Sequence, residues 1–543
     1  MPKTIPLFAL SLLTLTASGG TIFVSPTGNN TGAGGVAAPW KTLQYAADHS
    51  SAGDVINVLP GNYAGFDIRH SGAVNNPISF LAQPGATINQ TIPGGRLDGI
   101  NIENASYITV SGFTLPGTNN VTTSEAGIRV VGDGFDNANS FSKGVIVQNN
   151  KCDQWGKWGI FTGFTNDIQI LNNECSRSLQ QHGIYFSNSA DRPIIRGNTV
   201  WGNAAAGIHM NGDINTGDTS LPGVDGIITG ALVEKNIIYG NGGGSTASPG
   251  GGAGINCDGV QNSIIRNNLL YDNHASGITL FQIDGGGPSS GDVVANNTVI
   301  NANNARYNLL INSGAINNTV FNNIFYNLNT NSARGSISIT SDAIPGFKSD
   351  YNFLDPRFEI EDVGGKSLAQ WQAATGGDSH STALNFASMK ALFADYANNK
   401  FTLAPSSGAR DAGVAGLING VFKPAPTDDL SGNRRPQGNG FDAGAFEYAV
   451  LPADANGDRI VDIADFKILL DNYGTRSDFN HGDFSRNGIV DFTDFQIFEL
   501  NFGETLLPGG AIPGALSVPE PSAAMLLAIA TSTILSRRRR RDD

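Results

Sequence analysis

The sequence predicts an all-β chain coiled into a solenoid of stacked turns, and three observations carry that prediction. A short phrase of glycine, isoleucine, a variable residue and an apolar or small one returns six times: GIRV at Gly127, GIFT at Gly159, GIYF at Gly183, GIHM at Gly207, GINC at Gly254 and GITL at Gly277. Between its copies runs a second phrase, apolar residues closing on asparagine, at Asn150, Asn173, Asn198, Asn236, Asn268 and Asn297. Both phrases are too short for a helix and alternate with period two, so each is a strand. The usual return distance, 23 to 24 residues, suits one coil of three short strands and three bends. A unit that small cannot bury its own apolar side, so successive coils have to stack.

Stacking in parallel register sets equivalent residues about 4.8 Å apart in columns. Two residues past each closing asparagine stand Cys152, Cys175, Val200, Ile238, Leu270, Val299 and, after Asn323, Phe325. That apolar column points inward. The asparagines form a column of their own at a bend, where stacked amides bond to each other and to turn backbone. In the glycine phrase the isoleucine and the residue two later face the core, so the residue between them faces out. The outward column reads Arg129, Phe161, Tyr185, His209, Asn256 and Thr279. A base, aromatic rings, a histidine and an amide in one line suit a sugar chain, whose apolar faces stack on rings and whose oxygens take hydrogen bonds. Aromatic stacking that only stiffens the coil is the alternative, and both stay open at this point.

Composition agrees with a turn-rich β protein: 69 glycines, 15% charged residues and a formal net charge of −14. The two ends are net positive, so the body between them is more acidic still. Such a body repels nucleic acid and anionic membranes. No oligomer is implied, and a monomer is expected. Three cysteines do not make a disulfide scaffold: Cys152 and Cys175 share an inward column, and parallel Cβ vectors on adjacent turns suit a bridge poorly.

In chain order, residues 1–20 carry one lysine, an apolar run and small residues, as an export signal does. Next comes APWKTLQYAADHSSAGDVINVLPGNY, in which Pro39 opens a short helix with Leu43, Ala46 and Ala47 on one face, followed by a strand stopped at Pro60 and Gly61. An amphipathic helix here is a lid for the first coil. This segment resembles the entry of secreted right-handed parallel β-helix proteins, the pectate-lyase-like superfamily, and the resemblance covers roughly residues 21–448. Between Gly207 and Gly254 the return distance doubles to 47, so loops near 212–229 and 240–252 leave the coil beside the Tyr185 and His209 column. From about 330 to 448 the repeat fades into segments similar to the closing part of many secreted β-helix proteins, read as the last irregular turns and the far cap. The Arg434-Arg435-Pro436 run there reads as a structural or rim feature.

After a linker at 449–453, DANGDRIVDIAD sets Asp454, Asn456, Asp458, Asp462 and Asp465 at loop positions 1, 3, 5, 9 and 12, with the Ile460 carbonyl at 7. DFSRNGIVDFTD repeats the spacing 29 residues on with Asp483, Ser485, Asn487, the Ile489 carbonyl, Asp491 and Asp494. This is the oxygen shell that Ca2+ needs, with one ion per loop. Each loop leads into a helical apolar pattern that stops at Gly474 or Gly503. The duplicated unit, residues 454–503, resembles a type I dockerin, an EF-hand-like module whose partner is a cohesin domain. Two departures stand out: Arg459 where such loops prefer glycine, and Ile463-Ala464 and Phe492-Thr493 where the family often has a Ser-Thr recognition pair. Past a linker at 504–517, residues 518–543 hold Pro519-Glu520-Pro521, an apolar run and arginines from Arg537. They resemble the PEP-CTERM sorting signal, which implies processing machinery as a partner and a transient inner-membrane stage before display at the cell surface or release; a plain membrane tail is the alternative.

Many members of the β-helix superfamily cleave or epimerise acidic polysaccharides. A lyase needs a base near the sugar C5 proton and a group that neutralises the carboxylate. Tyr185 and His209 are the expected base or acid, with His182 and Arg129 beside them as further catalytic candidates. Phe161, Asn256, Asp213, Asp258 and Lys157 are the candidate substrate binders. A hydrolase needs two carboxylates, and Asp213 with Asp258 is the pair available. β-Elimination is favoured over hydrolysis, and a non-catalytic glycan-binding or scaffold solenoid is the alternative.

Overall fold

The computed structural model describes residues 19–136 and 141–505. The export signal, apart from its last two residues, and the sorting tail at 518–543 lie outside the described residues. Among the described residues no helix is long and apolar enough to cross a membrane.

The chain is a parallel β-helix. Among the described residues three sheets of twelve strands each run the length of the coil, and nearly all their pairings are parallel. The first sheet begins at Thr21–Val24, the second at Phe66–Ile68 and the third at Gly61–Ala64. The inward column is as expected. Cys152 pairs in register with Cys175, then Val200, Ile238, Leu270, Val299 and Phe325, all fully buried. Both of these cysteines, and Cys257, are free and buried.

The asparagine column is a directed chain. The Nδ2 of Asn150 donates to Asn173 Oδ1 at 3.1 Å, and the same bond repeats through Asn198, Asn236, Asn268, Asn297, Asn323 and Asn352. It ends at Asp378, whose Oδ1 accepts from Asn352 at 3.1 Å. The residue before each of these asparagines has positive φ, for example 57° at Asn149, 54° at Asn172 and 53° at Asn267. The recurring Asn-Asn pairs follow: the first tolerates the left-handed bend and the second enters the ladder.

The helix at Leu43–His49 buries Leu43, Ala46 and Ala47 against the first coil; Thr42, not Pro39, caps it, its side chain accepting from the Tyr45 amide. At the other end the helix Leu368–Thr375 inserts Trp371, fully buried, and its indole N–H donates to Asp378 Oδ2 at 2.7 Å. This helix is the far cap. Residues 384–448, expected to belong to that cap, instead turn back along the outside of the coil. Lys235 meets Asp428 at 2.6 Å, Asn296 Nδ2 donates to the Asp442 carbonyl at 2.9 Å, and the Ala445 amide donates to Thr298 Oγ1 at 2.9 Å. The strip is apolar on its inner side. Met389, Phe393, Phe401, Leu403, Ala443 and Phe446 pack on Leu269, Ile300, Ile324 and Phe353 of the third sheet. Arg435 is structural, as expected: it is buried, pairs with Glu447 at 2.8 Å and donates to the Asp442 and Gly444 carbonyls.

Residues 454–503 form two loop-helix units, with helices at Ile463–Asn472 and Phe492–Asn501. Phe466, Leu469, Phe495 and Phe498 bury against each other between them. In both loops positions 4 and 6 have positive φ: 75° at Gly457 and 74° at Arg459, 58° at Arg486 and 85° at Gly488.

Candidate functional site

The outward column of the second sheet holds in register. Arg129 pairs with Phe161, and Tyr185, His209, Asn256 and Thr279 follow on successive strands. Two loops stand at opposite ends of these strands. Residues 242–252 fold over the entry side, where the Gly242 and Gly244 amides donate to Asn203 and Ala204 at 3.0 Å and the Ser245 hydroxyl donates to Leu179. Residues 213–227 stand on the exit side, tied by Ile214 to Asp284 at 2.8 Å and by Asp218 to Gly134 at 2.9 Å. Phe164, Phe141 and Val224 form a small apolar cluster beneath them. The column runs between these two loops.

Its rings engage neighbouring rings. Trp158 stacks on Phe161 at 4.5 Å between centroids and 27°, and Tyr185 stacks on His209 at 5.0 Å and 26°. Phe161 and Tyr185 are tilted at 57° to one another, so the rings form two separate stacked pairs and not one continuous stack. Thr279 is buried and its hydroxyl bonds to Asn256.

The centre of the column is a hydrogen-bond constellation. The Ala206 amide donates to His182 Nδ1 at 3.1 Å, and His182 Nε2 lies 3.0 Å from His209 Nδ1. His209 Nε2 is enclosed and has no protein partner. Asn211 Nδ2 donates to the Tyr185 hydroxyl at 3.1 Å, and Asn211 Oδ1 accepts from the Asp213 amide at 3.2 Å. Burial pushes the Tyr185 phenol up to about 12, and the negative charges of Asp213, Asp284 and Asp258 add to it while the Asn211 bond opposes it. Burial holds His209 down to about 4, and His182 lies well below the usual imidazole range through burial and its neighbour His209. At neutral pH all three rings are uncharged.

The other candidates are spoken for to different degrees. Arg129 donates to Asn101 Oδ1 at 2.8 Å and lies 3.6 Å from Glu103; Lys157 pairs with Glu125 at 2.7 Å and stands over Trp158. Asp258 is 2% exposed and accepts the amides of Ile283, Asp284 and Gly285 at 2.8 to 3.0 Å. It anchors a loop, so it is not available as one of two catalytic carboxylates or to a substrate. Asp213 accepts from Thr216 Oγ1 at 2.7 Å at the base of the exit wall. Asn211 escaped the sequence reading, although it sits two residues past His209 in the same strand. So did the Ala206 amide, a backbone group with no side-chain signature.

In the duplicated loops the position 1 and position 12 carboxylates are buried and brace the loop. Asp454 accepts from Gly457 and Arg459, Asp465 from Asn456 and Asp462, and Asp483 and Asp494 repeat the pattern. Among the described residues no three His, Cys, Asp or Glu side chains converge as a metal cluster, so an ion held here would have to draw on Asn456, Ser485, Asn487 and the Ile460 and Ile489 carbonyls as well.

Comparison with known proteins agrees with the fold. The family model described as "Periplasmic copper-binding protein (NosD)" matches residues 86–217. An uncharacterized protein of Bacillus subtilis (strain 168), YwoF, is 26% identical over 276 residues, 47% of this chain and 57% of the relative. The matched part thus spans little more than half of that relative. The crystal structure of pectate lyase Pel9A superposes with a TM-score of 0.52 at 16% identity, covering 79% of this chain and 96% of that one. The chain therefore has the pectate-lyase-like parallel β-helix fold.

Proposed function

We propose that the chain is an exported polysaccharide-active protein whose substrate lies in the groove over the second sheet, with β-elimination of an acidic polysaccharide as the reaction. The observation that carries this is the Tyr185 hydroxyl: it accepts from Asn211, so its own proton is free to leave toward the groove. In the elimination a base takes the C5 proton, the C4–O bond breaks as the C4–C5 double bond forms, and the leaving oxygen takes a proton. Tyr185 supplies that last proton. Asp213, whose amide donates to the same Asn211 that bonds the Tyr185 hydroxyl, takes the first. Arg129 and Asn256 flank the pair as binders. The engagement of Asp258 by a loop favours elimination over hydrolysis, because it removes one member of the nominated acid pair. The structural relative compared above is a pectate lyase by name, in keeping with this class. Purified protein incubated with alginate, pectate and sulfated glycans is expected to generate unsaturated-product absorbance with at least one uronate polymer. Binding without that absorbance supports the second reading, a glycan-binding scaffold, which the pairing of Arg129 and Lys157 with Glu103 and Glu125 favours.

Residues 454–503 act, in the same proposal, as a dockerin-like module holding two Ca2+. Asp454, Asn456, Asp458, Ile460, Asp462 and Asp465 would hold the first, and Asp483, Ser485, Asn487, Ile489, Asp491 and Asp494 the second; the ions would tie the loops to their helices. Four carboxylates against three predict tighter binding at the first loop. Isothermal titration is expected to resolve two classes of site, and one equal-affinity class would overturn the ranking. Ile463 and Phe492, 56% and 57% exposed at equivalent positions, offer a partner domain an apolar contact in place of a Ser-Thr pair. A cohesin-like domain is the partner class. The tail at 518–543 would serve sorting at the inner membrane.

A further inference from the structure

The His182–His209 pair carries more information than a proximity, because its hydrogen bonds have a direction. A backbone amide can only donate. The Ala206 N–H points at His182 Nδ1 at 3.1 Å, so that nitrogen is the acceptor and carries no proton. In a neutral imidazole the single proton then sits on Nε2, and His182 Nε2 is the donor in its 3.0 Å bond to His209 Nδ1. His209 Nδ1 in turn is an acceptor, and the His209 proton sits on Nε2. That Nε2–H has no acceptor in the protein, although the atom is enclosed. Buried donors are rarely left without a partner.

We propose that His209 is a neutral, tautomer-locked hydrogen-bond donor that takes an oxygen acceptor of the bound sugar, with His182 and the Ala206 amide as the positioning groups that fix it. This deepens, and rests on, the reading of the groove as a polysaccharide site. It also changes the role of His209, since a nitrogen that already holds its proton is not the base. His209 serves recognition beside Tyr185, whose ring stacks on it at 5.0 Å; the two donors stand one strand spacing apart. An oxygen reaches the enclosed Nε2 once a side chain other than Tyr185 gives way beside it. A carboxylate oxygen and a hydroxyl or ring oxygen share the chemistry that this donor reads.

The test is nitrogen NMR of the full chain labelled at its seven histidines, with His182 and His209 assigned by loss of their signals in single variants. Both rings are expected as the Nε2–H tautomer at neutral pH. A His209 ring protonated on Nδ1, or a mixture of tautomers, would overturn the proposal. In His182→Ala, His209 is expected to become a mixture, and His182→Gln, whose amide can again donate to Nδ1, is expected to restore the single form. A purely structural histidine would show neither change. Oligogalacturonate and its methyl ester are the ligand arms. A shift of the His209 Nε2–H signal with the free acid alone names a carboxylate oxygen as the acceptor, and a shift with both names a hydroxyl or ring oxygen. Binding of either with no shift at His209 would remove the recognition role. Binding of neither, with alginate and sulfated glycan oligomers unbound as well, removes the groove reading itself, while the tautomer result stands on the spectra alone.

Discussion

Two faces of one coil have been put to opposite uses. On the third sheet the outward residues include Leu269, Ile300, Ile324 and Phe353, and the strip 384–448 covers them. On the second sheet the equivalent outward residues include Arg129, Phe161, Tyr185, His209 and Asn256, and loops stand at both ends of their strands. Strand spacing and register are the same on both faces. The difference lies in the side chains one residue off each inward column, and it teaches that a parallel coil fixes where a column runs and leaves its use to sequence. An apolar column draws in chain to cover it. On the open face one enclosed ring nitrogen, His209 Nε2, is left without a protein partner.

The sharpest way to break this contrast is one atom on the open face. Tyr185→Phe keeps the stack and removes the proton, so turnover on an active substrate is expected to fall roughly 10²- to 10⁴-fold with unfolding free energy unchanged within about 1 kcal/mol. Initial rates and denaturant unfolding on the same preparation check both halves. Equal turnover in the variant would take Tyr185 out of the chemistry.

On the covered face the largest change belongs to Arg435. Its removal leaves Glu447 buried without its partner, and a loss of about 3–5 kcal/mol is expected in denaturant titration. A loss below about 1 kcal/mol would mean that the strip does not depend on that ion pair.

The open face should also respond to acid. His209 is held near 4 when folded and has an ordinary value near 6.5 when unfolded. The unfolded chain therefore takes up its proton first as pH falls. Stability from this ring is full above about 6.5 and drains away down to about 4, by about 1–3 kcal/mol given its partial exposure. Comparing wild-type and His209→Phe unfolding across that window isolates the contribution, and parallel curves would refute it.

The mildest test is Ile324→Val under the covering strip, with an expected cost of about 0.5–1.5 kcal/mol by the same titration. No change at all would indicate a loosely packed cover.

How much of this was legible in the sequence follows from distance along the chain. The glycine and asparagine phrases repeat within one coil, so the inward column, the amide ladder and the line from Arg129 to Thr279 could be read directly. The path of residues 384–448 could not, since Lys235 and Asp428 meet across 193 positions with no periodic signal between them. The state of the candidate side chains was hidden for a related reason. Asn101 and Glu103, which hold Arg129, lie on an earlier coil whose repeat is irregular, and the Ala206 amide that sets His182 has no residue type to announce it. Ring stacking within the column was visible as a possibility, but the orientation of the faces required the register and the rotamers together.

The asparagine ladder has a direction, and a directed chain needs a last member that only receives. Asp378 is that member: it offers two oxygens and, when ionised, no hydrogen. A copied coil inserted anywhere upstream gives every amide a neighbour on both sides, so the molecule can lengthen from within. A coil appended beyond Asp378 would meet no donor to continue from. The final carboxylate thus closes the ladder at that end, whatever the number of coils before it.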